Sequence, residues 1–171
     1  MSDLRARLDA MVGKPMGGRG PQTGPDPVNL PMIRHWVAAF EDHNPAYLDP
    51  DDPVAPPLML QTWTFPMPKI TGMAERGGSP VELEGETVLS VLDGAGFVAT
   101  LASNSEFEIE RHLHLGEVVT SATTLESVSE EKQTRLGPGH FVTWVTTYTV
   151  EGGEVVGRQR FRVLKFRPAA A

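Results

Sequence analysis

The residues whose types and spacing could do acid–base chemistry lie between positions 39 and 49. Asp42 is followed by Asn44, Pro45 and Tyr47. The Asn-Pro pair breaks a helix and turns the chain, so side chains at positions 42 and 47 can converge on one water molecule. A carboxylate and a second titratable group held in this way could divide acid and base work. Position 47 holds a phenol.

A phenol titrates near a pH of about 10 and an imidazole near about 6.5, so Tyr47 is a poor base at neutral pH. Loss of a positioned acid or base typically lowers a rate by about two to four powers of ten. His43 precedes the proline break and should point elsewhere. Two plainer interpretations stay open: Asp42 as a solvent-facing carboxylate at a helix end, and Tyr47 as an aromatic residue that lines a pocket.

The element that must position these residues is a helix ahead of them. Asn29 can cap its start, and Pro45 requires it to end before residue 44. Four apolar side chains fall at the i, i+3, i+4, i+7 spacing of one buried stripe: Ile33, Trp36, Val37 and Phe40. Both aromatic residues, Trp36 and Phe40, are predicted to lie in the core.

The segments around this helix are less regular. Residues 1–25 are rich in Gly and Pro, which predicts an extended lead-in. The stretch LMLQTWTF predicts a short second helix in which Trp63 is either core or the wall of an acyl pocket. Residues 71–88 are Gly-rich and acidic, which predicts a long loop or flap.

From Phe97 onward, Val, Thr and aromatic residues alternate as in a sheet with one packed face. Gly152-Gly153 is the clearest hairpin signal. The pattern predicts an α+β domain in which a long central helix packs in a curved antiparallel sheet. The strands of this sheet are expected to follow one another as a meander. Its four strands are expected at residues 97–109, 117–129, 140–150 and 154–167.

Composition excludes several functions. The chain has no cysteine and a formal net charge of −7, which argue against disulfides, thiolate chemistry and broad nucleic-acid binding. His112 and His114 lie two apart without a nearby carboxylate cluster, so no metal site is expected. The N-terminal residues lack the apolar run of a signal peptide or membrane span, so we expect a soluble, cytoplasmic protein.

One local charge pattern runs against the acidic average. Five of the fifteen Lys and Arg residues lie between Arg158 and Arg167, without an acidic residue among them. Such a strand could meet a small polyphosphate such as coenzyme A, with Arg158 and Arg160 as the candidate ligands. The alternative is a charged, solvated sheet face.

The segment from Ala39 to Asp49 resembles the hydratase motif of MaoC-like hot-dog enzymes, in which Asp, Asn-Pro and then His follow a helix. Asp42, Asn44 and Pro45 match that motif, and Tyr47 stands at the position of the catalytic His. Further segments resemble the N-terminal domain of the larger subunit of bacterial two-subunit enoyl-CoA hydratases that act on a steroid side chain: MIRHWVAAFEDHNPAY, APPLMLQTWT, LDGAGFVATLASNSEFEIERHLHLGE, KQTRLGPGHFVTWVT and RFRVLKFRP.

The resemblance implies a single hot-dog domain over residues 26–168 and a tail at residues 169–171. It implies that this chain has no catalytic residue of its own and shapes the substrate site through Asp42, Asn44, Tyr47 and Trp63. A small hot-dog partner would supply the active Asp and His in a heterotetramer. The substrate would be a bulky enoyl-CoA thioester of cholesterol or steroid degradation, with coenzyme A as part of the substrate and no separate cofactor.

Such larger subunits usually continue into an OB-like domain that binds a thiolase-like aldolase, so that partner is expected if the full-length protein has the domain. Neither a membrane nor a nucleic acid is expected as a partner. Two other functions remain open from the residues: a self-sufficient homo-oligomeric dehydratase that uses Asp42 with a water held by Tyr47, and a non-enzymatic acyl-CoA-binding scaffold.

Overall fold

The computed structural model describes residues 2–16, 20–74 and 85–168. Three α-helices precede or interrupt the strands: α1 (Ser2–Met11), α2 (Leu30–Phe40) and α3 (Val88–Gly94). The strands are β1 (Gln22–Thr23), β2 (Ala99–Ile109), β3 (Thr120–Val128), β4 (Lys132–Thr134), β5 (Gly137–Thr149) and β6 (Val155–Phe166). The four predicted strands are therefore confirmed, and β1 and β4 are short additions.

The strands form one antiparallel sheet in the order β1-β3-β5-β6-β2, with β4 paired to β5. The α+β class is confirmed, and so is the hairpin, since Gly152 and Gly153 both have positive φ between β5 and β6. The predicted meander is wrong. The chain crosses over after β2, which pairs with β6 along its length, so β2 and β3 lie apart in the sheet.

Helix α2 forms where the apolar period predicts it. The Asn29 side chain accepts a hydrogen bond from the Met32 N–H at 3.1 Å, and Ile33 and Val37 are buried. The prediction that Phe40 belongs to the core is wrong: it is 65% exposed and packs on Trp36 with ring centroids 4.4 Å apart. Phe40 is the last residue of α2 and lies one turn beyond the helix's last buried contact.

The core consists of two clusters of buried side chains. The motif-side cluster joins α2 to the residues after it and to Tyr148 of β5. The far cluster joins α1 and α3 to Leu125, Val142 and Val163 of the central strands. Because Val142 and Tyr148 are six residues apart in the regular part of β5, both clusters rest on the same face of the sheet.

The extended lead-in predicted for residues 1–25 is wrong for Ser2–Met11, which form α1. Leu8 is 0% exposed in the far cluster, and Arg5 donates hydrogen bonds to the carbonyl oxygens of Val128 and Ser129 at 3.1 and 3.2 Å. The spacing of Leu4, Leu8 and Met11 is helical, and all three contact this cluster. This segment is therefore packed on the sheet.

The other irregular segments differ from expectation in detail. The short helix predicted around Trp63 is instead two 3₁₀ turns, Pro57–Met59 and Thr62–Thr64. Of the loop predicted at residues 71–88, positions 75–84 lie outside the described residues, and α3 begins at its end. The predicted tail at residues 169–171 also lies outside them. No helix in the described ranges is long and apolar enough to cross a membrane.

One ion-pair network fixes the crossover between β2 and β3. The Arg111 guanidinium donates to Glu117 at 2.7 Å and to Glu154 of the β5–β6 hairpin at 2.8 Å. Arg111 also donates to the carbonyl of its neighbour His112. Hydrogen bonding from Arg111 lowers the pKa of both Glu117 and Glu154. The network therefore ties the crossover to the hairpin at the motif end of the sheet.

We predict that Leu8→Ala lowers the free energy of unfolding by about 2–5 kcal/mol, because it opens a cavity under α1. Urea denaturation measures this loss. The matched control is Leu136→Ala at an exposed leucine outside both core clusters, where the change should stay within about 0.5 kcal/mol. Equal effects of the two variants would contradict the packing of α1.

We predict that the Arg111 network loses its stabilising effect in acid. The folded pKa of Glu117 lies below its ordinary value of 4.5, so its contribution is complete above about pH 4.5 and is lost as pH falls through the folded pKa. Glu117→Gln should make the fall of unfolding free energy between about pH 5 and 3 shallower. The control Glu151→Gln removes an exposed hairpin carboxylate and should leave the slope unchanged.

Candidate functional site

The candidate site begins where α2 ends. Glu41 adopts φ 51° and ψ 37°, the left-handed conformation, and it alone among the non-glycine residues of the described ranges has positive φ. Its backbone N–H and that of Asp42 donate to the Val37 carbonyl and close the helix. This position usually belongs to glycine, because a side chain there adds strain. The strained residue directs the chain into the Asp42–Tyr47 turn.

Two side chains of this turn hold its backbone. The Asp42 carboxylate accepts a hydrogen bond from the Asn44 N–H at 3.1 Å, and the Asn44 side-chain oxygen accepts one from the Ala46 N–H at 3.1 Å. Asn44 thereby caps the 3₁₀ turn Pro45–Leu48. Asp42 is half-buried, and His43 is exposed. Asp42 and Asn44, both predicted substrate-binding residues, therefore have structural roles in the turn itself.

Tyr47 points into the protein. It is 7% exposed and belongs to the motif-side cluster, together with Met59 and Trp63. Its backbone N–H donates to the Asn44 carbonyl at 3.2 Å, which seats the ring at the end of the turn. At the position where the related motif has a base, this chain has a packed aromatic ring.

The imidazole of His112 lies beside Tyr47, with ring centroids 6.4 Å apart. Its Nδ1 is 3.2 Å from the Ala55 carbonyl, while the Nδ1 of His114 is 3.1 Å from an Asp52 oxygen. The sequence does not indicate that His112 lies beside Tyr47, because only the crossover after β2 brings the two residues together. In the described ranges, no group of three or more His, Cys, Asp or Glu side chains could hold a metal ion.

Trp63 lies in the same cluster as Tyr47 and is buried. Its indole N–H is buried and has no hydrogen-bond partner in the described part of the chain. A buried donor left in this state costs about 1–3 kcal/mol. The backbone packs closely here, since a Cβ on Gly24 would lie 2.1 Å from the Trp63 carbonyl oxygen. The structure thus joins Asp42, Asn44, Tyr47 and Trp63 in one region.

Arg158 and Arg160 lie elsewhere. They alternate with Gln159, whose side chain is on the cluster-bearing face, so they project from the opposite face of the sheet. Arg158 pairs with Glu110 at 2.9 Å, and Arg160 with Glu126 at 2.6 Å. Coenzyme A binding by these arginines stays a prediction, and a phosphate there would compete with these carboxylates.

The remaining cations of this strand also have partners. Lys165 is buried and donates to Asp93 of α3, and Arg167 lies over the Phe97 ring, 4.1 Å from its centroid. Arg162 donates to the Thr143 hydroxyl oxygen at 3.1 Å. Carboxylates therefore neutralise Arg158, Arg160 and Lys165, and these partners lie outside the run, so its own sequence does not show them.

Sequence reasoning also missed a row of polar side chains that begins at Tyr148 of the motif-side cluster and runs across the same face of the sheet. The Thr123 and Thr146 hydroxyls are 2.9 Å apart, and the Tyr148 hydroxyl donates to the Gln159 side-chain oxygen at 3.0 Å. Burial raises the pKa of Tyr148 to about 12, so its phenol stays neutral. We call the row of five side chains the polar strip: Ser105, Thr123, Thr146, Tyr148 and Gln159.

Comparison with known proteins places this geometry in a family. Residues 15–159 match the family described as FAS1-like, dehydratase domain region. The chain therefore belongs to this family of MaoC-like hot-dog domains. Helices α2 and α3, strands β1–β5 and the first five residues of β6 lie inside the match.

Two curated relatives are similar over almost the whole chain. A probable enoyl-CoA hydratase alpha subunit of Thermomonospora curvata is 42% identical over 97% of this chain and 53% of its own length. The 3-oxo-4,17-pregnadiene-20-carboxyl-CoA hydratase alpha subunit of Mycobacterium tuberculosis is 36% identical over 92% of this chain and 51% of its own length. The chain thus spans about half the length of the curated relatives it matches.

Solved structures agree with the fold. A chain of the ChsH1-ChsH2 complex from Mycobacterium tuberculosis superposes with a TM-score of 0.78 and 32% identity, over 99% of this chain and 94% of that one. The (R)-hydratase from A. caviae superposes with a TM-score of 0.53 and 15% identity, over 86% of this chain and 94% of that one. The second comparison supports the fold alone.

We predict that Glu41→Gly raises the free energy of unfolding by up to about 1 kcal/mol, because glycine adopts the left-handed conformation without a Cβ clash. Thermal and urea denaturation would measure the gain. Ala38→Gly, at an exposed site inside α2, is the matched control and should lower stability by about 1 kcal/mol. Destabilisation by both variants would show that the turn does not need the left-handed residue.

Proposed function

We propose that this chain is the non-catalytic, substrate-shaping subunit of a heteromeric enoyl-CoA hydratase. A small hot-dog partner supplies the carboxylate and the imidazole that add water to the double bond of a 2-enoyl-CoA. The observation that carries the proposal is Tyr47, a buried phenol at the position where the MaoC-like motif has its base.

The chemistry of the turn supports this division of labour. A hydration needs a base that is unprotonated near neutral pH and is within hydrogen-bond reach of the attacking water. A neutral imidazole carries a ring nitrogen that can accept that proton, whereas a tyrosine phenol offers no comparable base. The nearby Asp42 already accepts a hydrogen bond within its own turn. This turn therefore keeps the shape of the motif without its acid–base pair.

The two relatives support a two-subunit enzyme, since both are named as alpha subunits of an enoyl-CoA hydratase. The similar solved structure is itself a complex of two proteins. One relative is named for a steroid-type carboxyl-CoA, so the substrate class that we propose is a CoA thioester with a bulky fused-ring acyl group.

The sheet also offers a place for a partner. Strand β2 is eleven residues long and lies at the end of the strand order, so one of its edges has no partner strand within the described ranges. Exposed edges of this length invite pairing with another chain. We propose that the partner subunit docks along this edge.

We predict that the purified chain hydrates a fused-ring 2-enoyl-CoA at no more than about one-hundredth of the rate reached after addition of a small hot-dog subunit with an intact Asp and His, because one positioned base is missing. Loss of the absorbance of the conjugated thioester measures hydration. Asp42→Asn in this chain should change the rate of the complex by less than about threefold, whereas the same change at the partner's Asp should abolish it.

The second candidate is a self-sufficient hydratase, and the specific observation that favours it is the imidazole of His112 beside Tyr47. Under that alternative the isolated chain turns over the thioester, and both Asp42→Asn and His112→Gln abolish turnover. Rapid hydration by the isolated chain with this sensitivity would overturn the proposed subunit role. A chain that binds the thioester but shows no hydration with any hot-dog partner would instead be an acyl-CoA scaffold.

A further inference from the structure

The sheet face opposite to the core clusters carries a cavity that the proposed function does not use. The cavity has a volume of about 280 Å³, and strands β3, β4, β5 and β6 each contribute to its wall. Thr143 of β5 lies in register with Ser127 of β3 and with Arg162 of β6. Side chains in register on adjacent strands project from the same face, so these three lie side by side in the cavity.

Arg162 is held in place at the wall of this cavity. Its Nε donates a hydrogen bond to the Thr143 hydroxyl oxygen at 3.1 Å, and Thr143 is only 1% exposed. Arg158 and Arg160 project from the same face and form ion pairs with carboxylates, whereas Arg162 forms none with any residue that the structure describes. Its two terminal NH₂ groups therefore remain available as the paired donors that bind planar or tetrahedral anions.

The other polar groups of the cavity wall also suit an anion. Lys132 of β4 is exposed and forms no ion pair within residues 2–16, 20–74 and 85–168. The hydroxyl groups of Ser127 and Thr143 donate no hydrogen bond to any described residue, so both can donate to a ligand. The cavity therefore combines two cations with two hydroxyl donors.

The acidic residues nearest in the sequence are engaged elsewhere. Glu126 accepts a hydrogen bond from Arg160 at 2.6 Å, and Glu130 and Glu131 line a different cavity, beside α1. Among the described residues, no carboxylate lines the cavity at Arg162. In a chain with a formal net charge of −7, this cavity is a local region of positive potential that attracts an anion.

We propose that this cavity binds the phosphate monoester group of a small molecule, with Arg162 and Lys132 as the charged ligands and Ser127 and Thr143 as hydroxyl donors. A phosphate monoester carries about 1.5–2 negative charges near pH 7 and three strong acceptor oxygens, which match two cations and two further donors. A carboxylate has a single charge, and one guanidinium satisfies it.

The cavity and the Asp42–Tyr47 turn are on opposite sides of the sheet. Tyr47 packs in the motif-side cluster with Tyr148, and Tyr148 projects from the face opposite to that of Thr143. The phosphate site is therefore distinct from the candidate site, and the inference goes beyond the proposed function. Binding is measured without turnover, so either one can fail while the other stands.

The test is isothermal titration calorimetry of the full chain with inorganic phosphate, at constant ionic strength and with acetate as the matched monoanion. We expect phosphate to bind at least about tenfold more tightly than acetate. Arg162→Gln should weaken phosphate binding about tenfold, because it removes charge-assisted hydrogen bonds, and Lys132→Gln should weaken it at least about threefold. Both residues are exposed, so both variants should fold, which thermal denaturation checks.

Two further ligands identify the source of the phosphate group. Coenzyme A carries a phosphate monoester that dephospho-coenzyme A lacks. If coenzyme A is the source, it binds more tightly than inorganic phosphate, and both Arg162→Gln and the change to dephospho-coenzyme A remove this gain. If the source is another phosphorylated molecule, coenzyme A gains nothing over inorganic phosphate, and the phosphate binding still depends on Arg162.

The matched control is Arg135→Gln, at an exposed arginine outside the cavity wall, which removes the same charge and should leave phosphate affinity within about twofold. Thr143→Val keeps the side-chain shape but removes the hydroxyl that holds Arg162, so it should weaken phosphate binding. The inference is overturned if the wild-type chain binds phosphate no more tightly than acetate, if the affinity survives in both Arg162→Gln and Lys132→Gln, or if Arg135→Gln loses as much as Arg162→Gln.

Discussion

The constraint on which the structure depends is the sharp end of helix α2. Glu41 enters the left-handed region, and the next turn is held by two side chain-to-backbone hydrogen bonds, from the Asn44 N–H to Asp42 and from the Ala46 N–H to Asn44. Together they reverse the chain so that Tyr47 enters the core. Asp42, which matches the carboxylate of the related motif, is here one of the two side chains that build the turn.

The sheet face that carries the two core clusters is divided in the middle. It carries two apolar clusters, one against α2 and one against α1 and α3, separated by hydrogen-bonded polar side chains. Under the proposed function, binding and shaping of the substrate belong to this chain, and proton transfer belongs to its partner.

Much of the fold could be predicted because it is encoded locally. The apolar period and Asn29 located α2, and Gly152-Gly153 located the hairpin. The alternation of Thr with Val and aromatic residues located β5, and the alternation of Arg with Phe and Val located β6. Helix α1 was missed because the Gly- and Pro-rich stretch after it dominated the composition, although Leu4 and Leu8 carry a helical spacing of their own.

What could not be predicted depends on long-range pairing. The place of β2 beside β6 follows from a crossover, which also brings Glu106, Glu108 and Glu110 against arginines that seemed unpaired within their own segment. The same crossover sets His112 beside Tyr47. In the candidate site, the motif residues were identifiable from spacing, whereas Gln159 was not, because a polar residue in an alternating strand indicates neither which face it occupies nor what it contacts.

The most direct test of the account is a structure of the assembled enzyme with an unreactive analogue of a fused-ring enoyl-CoA. The account predicts that the carbon that receives water lies within hydrogen-bonding distance, about 3 Å, of a water held by the partner's carboxylate and imidazole. A reacting carbon placed instead between Asp42 and the side chains of Tyr47 and His112 would contradict the account.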